Sequence, residues 1–153
     1  MADAESTWRP GGKVRLAVRK RRNARHSGMS KTKTIFLYLL ALQLNVAGFM
    51  HLLTPDFFVR IVPAGLPDPG WLNVLSGLAE IVIGVFLLEP TTRRYAAWGA
   101  IALAIAVYPA NVYMWMENVG PGGPGTGDPF VNIVRLPFQF LFIFWAWVYT
   151  RDD

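Results

Sequence analysis

The chain has 153 residues, of which 53% are hydrophobic and 16% are charged; its formal net charge is +5 and it contains no cysteine. A soluble domain usually carries about 25% charged residues, so this composition argues against a soluble protein. The absence of cysteine excludes disulfides, a thiol relay and a cysteine-ligated metal cluster.

The basic residues are concentrated at the start of the chain. Ten of the fifteen Lys and Arg residues lie within residues 1–33. We expect this segment to be a disordered cytoplasmic tail that precedes a membrane domain over residues 34–151. Two interpretations stay open: a polybasic strip on anionic lipid, at about 1 kcal/mol per basic residue, or translation that begins at Met29. Residues 13–25 contain no aromatic side chain and no recognised fold, so we expect no nucleic-acid partner.

Four apolar segments follow the tail. They cover residues 34–53, 71–88, 95–116 and 133–149. A helix rises about 1.5 Å per residue, so each segment is long enough to cross a hydrocarbon core of about 30 Å. The sequence therefore predicts an all-α protein, a four-transmembrane-helix bundle in the plasma (cytoplasmic) membrane.

The loop charges predict the orientation of this bundle. Arg93 and Arg94 lie between spans two and three, and Arg151 follows span four. An even number of crossings puts these residues on the same side as the basic tail, whereas the opposite loops carry only Arg60. Cytoplasmic loops are enriched in Lys and Arg, so we expect both termini in the cytoplasm.

The connecting segments carry clear turn signals. Thr54 is a predicted N-cap and Pro55 the first residue of a short helix, whose apolar side chains suit the outer membrane interface. Residues 89–94 predict a tight inner turn. The glycine-rich and proline-rich residues 120–129 predict a flexible outer loop.

Polar residues recur at helical spacing within the spans. Successive residues of a helix turn by about 100°, so Glu80 shares a face with Asn73 and Gly77, and Arg135 shares a face with Gln139. Glu80 lies about 13 Å below the outer end of its span. These positions predict a polar pocket in the outer half of the membrane that opens outward. Its predicted ligand-binding residues are Glu80, Arg135, Gln139, Asn111 and His51.

The two charged residues of this pocket are expected to meet. A charge at the membrane centre costs about 2.5–3.5 kcal/mol on insertion scales, and pairing makes it better tolerated. We therefore predict that Arg135 reaches Glu80 directly, through Gln139 or through water. Such a pair could bind a ligand or could be a structural ion pair, and both interpretations stay open.

Four stretches of the sequence carry a family resemblance: "AGFMHLLTPDFFVRIVPAGLP", "LSGLAEIVIGVFLLEPTTRRYAAWG", "YPANVYM" and "VRLPFQFLFIFWAWVYTR". Together they resemble the DoxX-like family of small four-helix membrane proteins, over residues 47–151. The family pattern corresponds here to Glu80, Asn111, Arg135 and Gln139. The resemblance implies a four-helix bundle. It also implies a link to quinone-dependent sulfur oxidation or membrane oxidoreductase assemblies for some members, while most members have no assigned activity.

Three functional hypotheses follow. The first is a membrane subunit that binds a quinone-like or lipid-like molecule and works with a redox partner protein. Here Arg135 would hold an oxygen, Glu80 would set the charge or move a proton, and His51 would line the site. The second is a non-enzymatic accessory or assembly factor whose polar cluster is structural. The third is a small transporter, which four spans without repeats would support only as a homo-oligomer.

The sequence does not define a catalytic reaction. No nucleophile–base pair indicates hydrolysis, and no residue type present carries electrons alone, so a flavin, metal or partner protein would supply that step. The cofactor stays open, and quinone is the one candidate that we name. A metal site formed by His51, Asp56 and Glu80 is a weak alternative to a site without metal.

Overall fold

The computed structural model describes residues 29–63 and 65–151, and these residues contain five helices and no β-strand. The helices are α1 (Lys31–Leu53), α2 (Pro55–Arg60), α3 (Pro69–Leu88), α4 (Arg93–Met116) and α5 (Pro129–Trp147). All except α2 are long and apolar enough to cross a membrane. The all-α class and the four predicted spans are thus confirmed, whereas the expectations for residues 1–28 lie outside the described part.

Large apolar side chains cover the outer surface of the long helices. Leu53, Trp71, Tyr95 and Phe130, one from each long helix, are 74%, 74%, 72% and 73% exposed. A soluble monomer rarely exposes contiguous apolar surface of this extent. These helices therefore imply a lipid bilayer around the chain.

The four long helices are arranged in a ring. Helix α3 packs against α4, and α4 packs against α5. Helix α1 approaches α3 where Gly48 faces Gly77. It approaches α5 where the rings of Phe36 and Trp145 meet edge to face, with their centroids 5.9 Å apart. The order around the ring is therefore α1, α3, α4 and α5.

Small residues mark the inner face of α4. Ala96, Ala100 and Ala104 are all buried. Small residues at four-residue spacing let neighbouring helices approach closely. A second alanine row is exposed at Ala102 and Ala106, so the first row is the packing face.

Two aspartates begin helices at the same end of the bundle. Asp68 precedes Pro69, and its carboxylate accepts from two main-chain N–H groups of α3 at 2.7 and 3.0 Å. Asp128 precedes Pro129 and accepts from two N–H groups of α5 at 2.8 and 3.2 Å. An Asp N-cap with proline at the first helical position is a favoured helix start. This end is called the Asp68 end below, and the opposite one the Glu89 end.

The predicted turn at the Glu89 end is short and well hydrogen-bonded. The Thr92 hydroxyl donates to the Phe86 carbonyl at 2.8 Å, and Arg93 Nε donates to the Leu87 carbonyl at 3.0 Å. The last carbonyls of a helix lack partners within that helix. The Thr92 and Arg93 side chains provide partners for the last carbonyls of α3. A short turn can therefore join α3 to α4 as antiparallel neighbours.

Helix α2 and the loop over residues 117–128 together form what we call the end cap. Ile61, Met114 and Val119 are its buried core, and Phe57 and Phe58 pack against them. The predicted start of α2 is confirmed, but the predicted side-chain cap is wrong. Thr54 Oγ1 donates to the Met50 carbonyl at 2.8 Å and makes no capping hydrogen bond.

The loop of the end cap makes several hydrogen bonds, while the flexibility expected of residues 120–129 stays a prediction. Asn118 Nδ2 donates to the Gly127 carbonyl at 2.9 Å, and Asn132 Nδ2 donates to Asn118 Oδ1 at 3.1 Å. Arg60 Nη1 donates to the Pro121 carbonyl at 2.5 Å and ties α2 to the loop. Side-chain amides thus satisfy main-chain groups that turn residues alone would leave to water.

Candidate functional site

A cavity of about 450 Å³ lies inside the ring of helices. Its polar lining comes from Gln43 on α1, Glu80 on α3, Asn111 on α4, and Arg135, Gln139 and Trp145 on α5. Much of the remaining lining is apolar and includes Leu44, Leu103, Val107, Phe138 and Phe142. The cavity therefore combines a small polar region with a larger apolar wall.

Four of the five predicted site residues line this cavity: Glu80, Asn111, Arg135 and Gln139. The fifth, His51, lies outside the lining, with its Nε2 3.7 Å from Glu80 Oε2. The helices thus bring all five into one neighbourhood, although their ligand-binding role stays a prediction.

Asn111 and Gln139 form a direct bridge between α4 and α5. Asn111 Nδ2 donates to Gln139 Oε1 at 2.5 Å. Gln139 Nε2 donates to the Ala104 carbonyl. The carbonyl of the next residue, Ile105, cannot receive the usual helical hydrogen bond, because Pro109 has no N–H. The amide of Gln139 therefore joins α4 close to the point where its own hydrogen bonding is interrupted.

Arg135 does not reach Glu80 directly, so that form of the predicted pair is wrong. Its Nη1 is 3.0 Å from Met114 Sδ, under the core of the end cap. Gln139 does not bridge the two charges, because its amide is taken up by Asn111 and Ala104. Arg135 and Glu80 face the same cavity without contact, and a ligand there would meet both charges.

Glu80 carries an oxygen without a hydrogen bond. Among the described residues, Glu80 Oε2 is buried and has no hydrogen-bond partner. Its side chain is 15% exposed, and the His51 side chain beside it is 14% exposed. Buried polar atoms are nearly always hydrogen-bonded, so this oxygen is a candidate contact for a bound molecule or for a proton.

His51 is held on three sides. Its Nδ1 lies 2.7 Å from Asn73 Oδ1, and its carbonyl accepts from Asn73 Nδ2 at 2.9 Å. The Phe58 ring stacks on the imidazole, with the ring centroids 3.7 Å apart. These contacts define the plane of the imidazole, and Nε2 lies 3.7 Å from Glu80 Oε2.

Three residues of this neighbourhood were not predicted. Gln43 lines the cavity from α1, and an amide side chain in the middle of an apolar span was the signal that could have found it. Asn73 was placed on the correct face of its helix, but its contact with His51 was not foreseen. Trp145 Nε1 is buried without a hydrogen-bond partner in the described chain, and no sequence signal distinguishes this tryptophan from an interface anchor.

The mouth of the cavity opens sideways rather than along the bundle axis. Gln43 on α1 and Phe138 and Leu141 on α5 are exposed as well as lining the cavity. Closer to the Glu89 end, Phe36 and Trp145 close the gap between the same two helices. The exposed lining residues thus lie on the flank between α1 and α5, not at the end of the bundle where an opening was expected.

The weak metal alternative is wrong for the part of the chain that the structure describes. No group of three or more His, Asp or Glu side chains there is arranged to hold a metal ion. Asp56 is exposed on α2, so it does not complete a set with His51 and Glu80.

The fold and the cavity define a class: an all-helical multi-pass membrane protein with a largely apolar cavity among its spans that carries a few polar groups. The chain belongs to the family described as "Domain of unknown function (DUF8561)", whose model matches residues 40–150. The match covers most of α1, the other three spans and the end cap. No curated protein matches the chain, and neither does any solved structure.

Proposed function

We propose that the cavity binds a quinone-like or lipid-like molecule and that the protein is a membrane subunit working with a redox partner. The observation that carries this proposal is the cavity itself: about 450 Å³, with Arg135 and Glu80 on a largely apolar wall. Small-molecule sites are commonly about 300–1,000 Å³, mostly apolar, with a few converging polar groups. The DoxX-like resemblance adds the expectation of quinone chemistry.

The chemistry of the wall suits an amphipathic ligand. The Arg135 guanidinium offers N–H donors to a carbonyl or headgroup oxygen. Glu80 offers an acceptor, or a donor if it is protonated. The apolar side chains along α4 and α5 would contact a ring or an acyl chain. A ligand with both kinds of surface would satisfy Glu80 Oε2 and Trp145 Nε1, which have no hydrogen-bond partner among the described residues.

Electrons would have to come from elsewhere. The side chains of the cavity include no group that carries an electron by itself, so a flavin, a metal or a partner protein would supply that step. The role of this chain would then be to bind the molecule, orient it and hold or move a proton beside it.

The orientation with both termini in the cytoplasm is part of the proposal. The described basic residues outside the cavity are concentrated at the Glu89 end: Lys31, Lys33, Arg93, Arg94 and Arg151. The Asp68 end has Arg60 as its basic residue. This asymmetry supports a cytoplasmic Glu89 end. Helix α2 would then lie in the outer interface, with Phe57 and Phe58 turned toward the end cap.

The alternative is a non-enzymatic accessory or assembly factor. The hydrogen bond between Asn111 and Gln139 favours it, because this part of the polar cluster already joins α4 to α5 without a ligand. In that case the cavity would be a packing defect filled by ordinary lipid. A partner protein would then bind a surface that does not involve the cavity.

One experiment separates the two. The protein is purified from native membranes in mild detergent, and mass spectrometry identifies the organic-extractable molecules and the proteins that accompany it. Wild type is compared with Glu80→Gln, Arg135→Ala and a control, Ser76→Ala, which alters α3 one turn from Glu80 without changing the cavity lining. We expect a near-stoichiometric quinone or a single lipid species in wild type and control, and its loss from both cavity variants.

The contrary result is equally specific. If wild type carries only exchangeable, substoichiometric lipid, and all variants retain the same partner protein, the cavity does not bind a dedicated ligand. The accessory role would then be the correct one. Circular dichroism and size-exclusion profiles establish that each variant is folded before its ligand content is compared.

A further inference from the structure

The contacts of His51 determine which of its nitrogens carries hydrogen. We propose that His51 Nε2 and Glu80 Oε2 take up one proton as a pair at the wall of the cavity, and that Asn73 is the positioning residue which leaves Nε2 free for this purpose. The shared proton does not depend on which molecule fills the cavity.

The orientation of the Asn73 amide is the first step. The His51 main-chain carbonyl can only accept a hydrogen bond, and the amide atom 2.9 Å from it must therefore be the nitrogen of Asn73. The amide oxygen is then the atom that faces His51 Nδ1 at 2.7 Å. This assignment follows from the hydrogen-bonding partners and not from the shape of the side chain alone.

The tautomer of the imidazole follows. An amide oxygen cannot donate, so Nδ1 must carry the hydrogen. In the neutral ring Nε2 then carries a lone pair, and it lies 3.7 Å from Glu80 Oε2, just beyond hydrogen-bond distance. The stack with Phe58 prevents the ring from turning away.

A lone pair facing a carboxylate oxygen is unfavourable without a proton. One proton removes the conflict, either as a Glu80 carboxyl group directed at Nε2 or as an imidazolium beside the Glu80 carboxylate. A second proton would leave two donors facing each other. The buried Glu80 oxygen without a hydrogen bond is the position that the proton would occupy.

Other charged groups lie further from His51 and Glu80. Arg135 shares the cavity with Glu80 and donates to Met114 Sδ. Toward the Asp68 end, the remaining titratable or charged groups on the elements packed around the pair are Asp56 and Arg60 on α2, Asp68 at the start of α3, and Tyr108 and Tyr113 on α4. None of them makes a hydrogen bond or ion pair to His51 or Glu80 in the described chain. The proton is therefore shared by two groups, with Arg135 as the neighbouring charge.

The tautomer can be measured directly. The chain has two histidines, so the His26→Gln protein, labelled with ¹⁵N-histidine and placed in lipid nanodiscs, reports on His51 alone. We expect the hydrogen on Nδ1 wherever the ring is neutral. A neutral ring with the hydrogen on Nε2 would overturn the proposal without any further variant.

Substitutions identify the cause. Asn73→Ala removes the acceptor, and we expect the Nδ1-bound tautomer to fall at least tenfold relative to the other. Asn73→Asp keeps an oxygen opposite Nδ1 and should retain it. Asn132→Ala, which removes a buried amide of α5 that donates to Asn118 of the end cap, is the matched control and should leave the His51 signals unchanged. An unchanged tautomer in folded Asn73→Ala protein contradicts the positioning role.

The shared proton has its own readout. With ¹³C-labelled Glu carboxyls, the Glu80 and His51 signals should titrate in wild type with common midpoints, because coupled groups titrate as a pair. His51→Gln should move the Glu80 midpoint by at least tenfold in proton concentration. Independent midpoints in wild type, or a Glu80 midpoint unaffected by His51→Gln, would show that no proton is shared.

Discussion

Asn111 and Gln139 place two side-chain amides inside an apolar bundle, where their mutual hydrogen bond replaces water. Asn111 donates to Gln139, and Gln139 donates onward to the Ala104 carbonyl. Interhelical hydrogen bonds in membrane proteins contribute about 0.6 kcal/mol on average and up to about 1.7. A two-member chain that ends on a main-chain carbonyl should lie in the upper part of that range.

We expect Asn111→Leu and Gln139→Leu each to lower the free energy of unfolding in mixed micelles by about 1 kcal/mol or more, because each leaves a buried partner unsatisfied. The double variant should lose less than the sum, with a coupling energy of about 0.6–1.7 kcal/mol. Strictly additive losses would mean that the two amides act independently.

Single side chains also show how far the sequence could predict the site. The 100° periodicity correctly placed Glu80, Arg135 and Gln139 on inward faces. It could not predict that Arg135 turns to Met114 or that Glu80 faces His51, because those contacts depend on the rotation and axial offset of one helix against another. Such offsets are set by close-packed residues on both partners.

Helices α1 and α3 owe their offset to two glycines that face each other. A Cβ added at Gly48 would lie 2.6 Å from the Gly77 carbonyl oxygen, and one added at Gly77 would lie 2.7 Å from His51 Cβ. Neither the main chain nor a Cβ can move aside without shifting a helix. Close contact here is also what brings His51 within reach of Glu80.

We expect Gly48→Ala and Gly77→Ala each to lower the free energy of unfolding by about 1–3 kcal/mol, the usual cost of overpacking. This exceeds the gain of about 0.5–1 kcal/mol that alanine brings to a helix. Gly99→Ala is the control: its Cβ would meet Ile83 side-chain atoms at 3.4 and 3.5 Å, so stability should be unchanged or slightly raised. Equal effects at all three glycines would contradict close packing at the Gly48–Gly77 contact.

Helix boundaries were predictable to within a few residues, and the errors in the predicted starts of the second and fourth spans have the same cause. Prediction began the second span at Trp71 and the fourth at Ile133, whereas α3 begins at Pro69 and α5 at Pro129. Apolar runs define where lipid begins, but helices extend beyond them to a cap. The repeated Asp-Pro pair, at Asp68 and Asp128, was the signal that would have corrected both.

For the chain as a whole, the number of spans could be predicted from the sequence. The length and apolarity of each segment decide whether it crosses the membrane, and no tertiary contact alters that number. The cavity could be predicted from the sequence only in part. Four of its polar residues were identified, from three helices, but its position and sideways mouth depend on how α1 and α5 separate. Gln43, Phe138 and Leu141 define that mouth.

The orientation can be tested cleanly because the chain has no cysteine. Pro124, in the loop of the end cap, and Thr91, in the turn at the Glu89 end, are both exposed. We expect Pro124→Cys to react with a membrane-impermeant maleimide in intact cells and Thr91→Cys to react only after the cells are opened. The reverse pattern would invert the topology, and the unsubstituted chain gives the background.

The sideways mouth determines the phase in which the concentration of a ligand has to be counted when its affinity is measured. A ligand that enters between α1 and α5 is drawn from the bilayer, where apolar molecules are concentrated far above their aqueous level. Occupancy then follows the mole fraction of ligand in the lipid, and adding detergent or empty vesicles dilutes the ligand without changing its total amount. Titrations should accordingly be plotted against ligand per lipid, and curves taken at different lipid amounts should coincide on that axis.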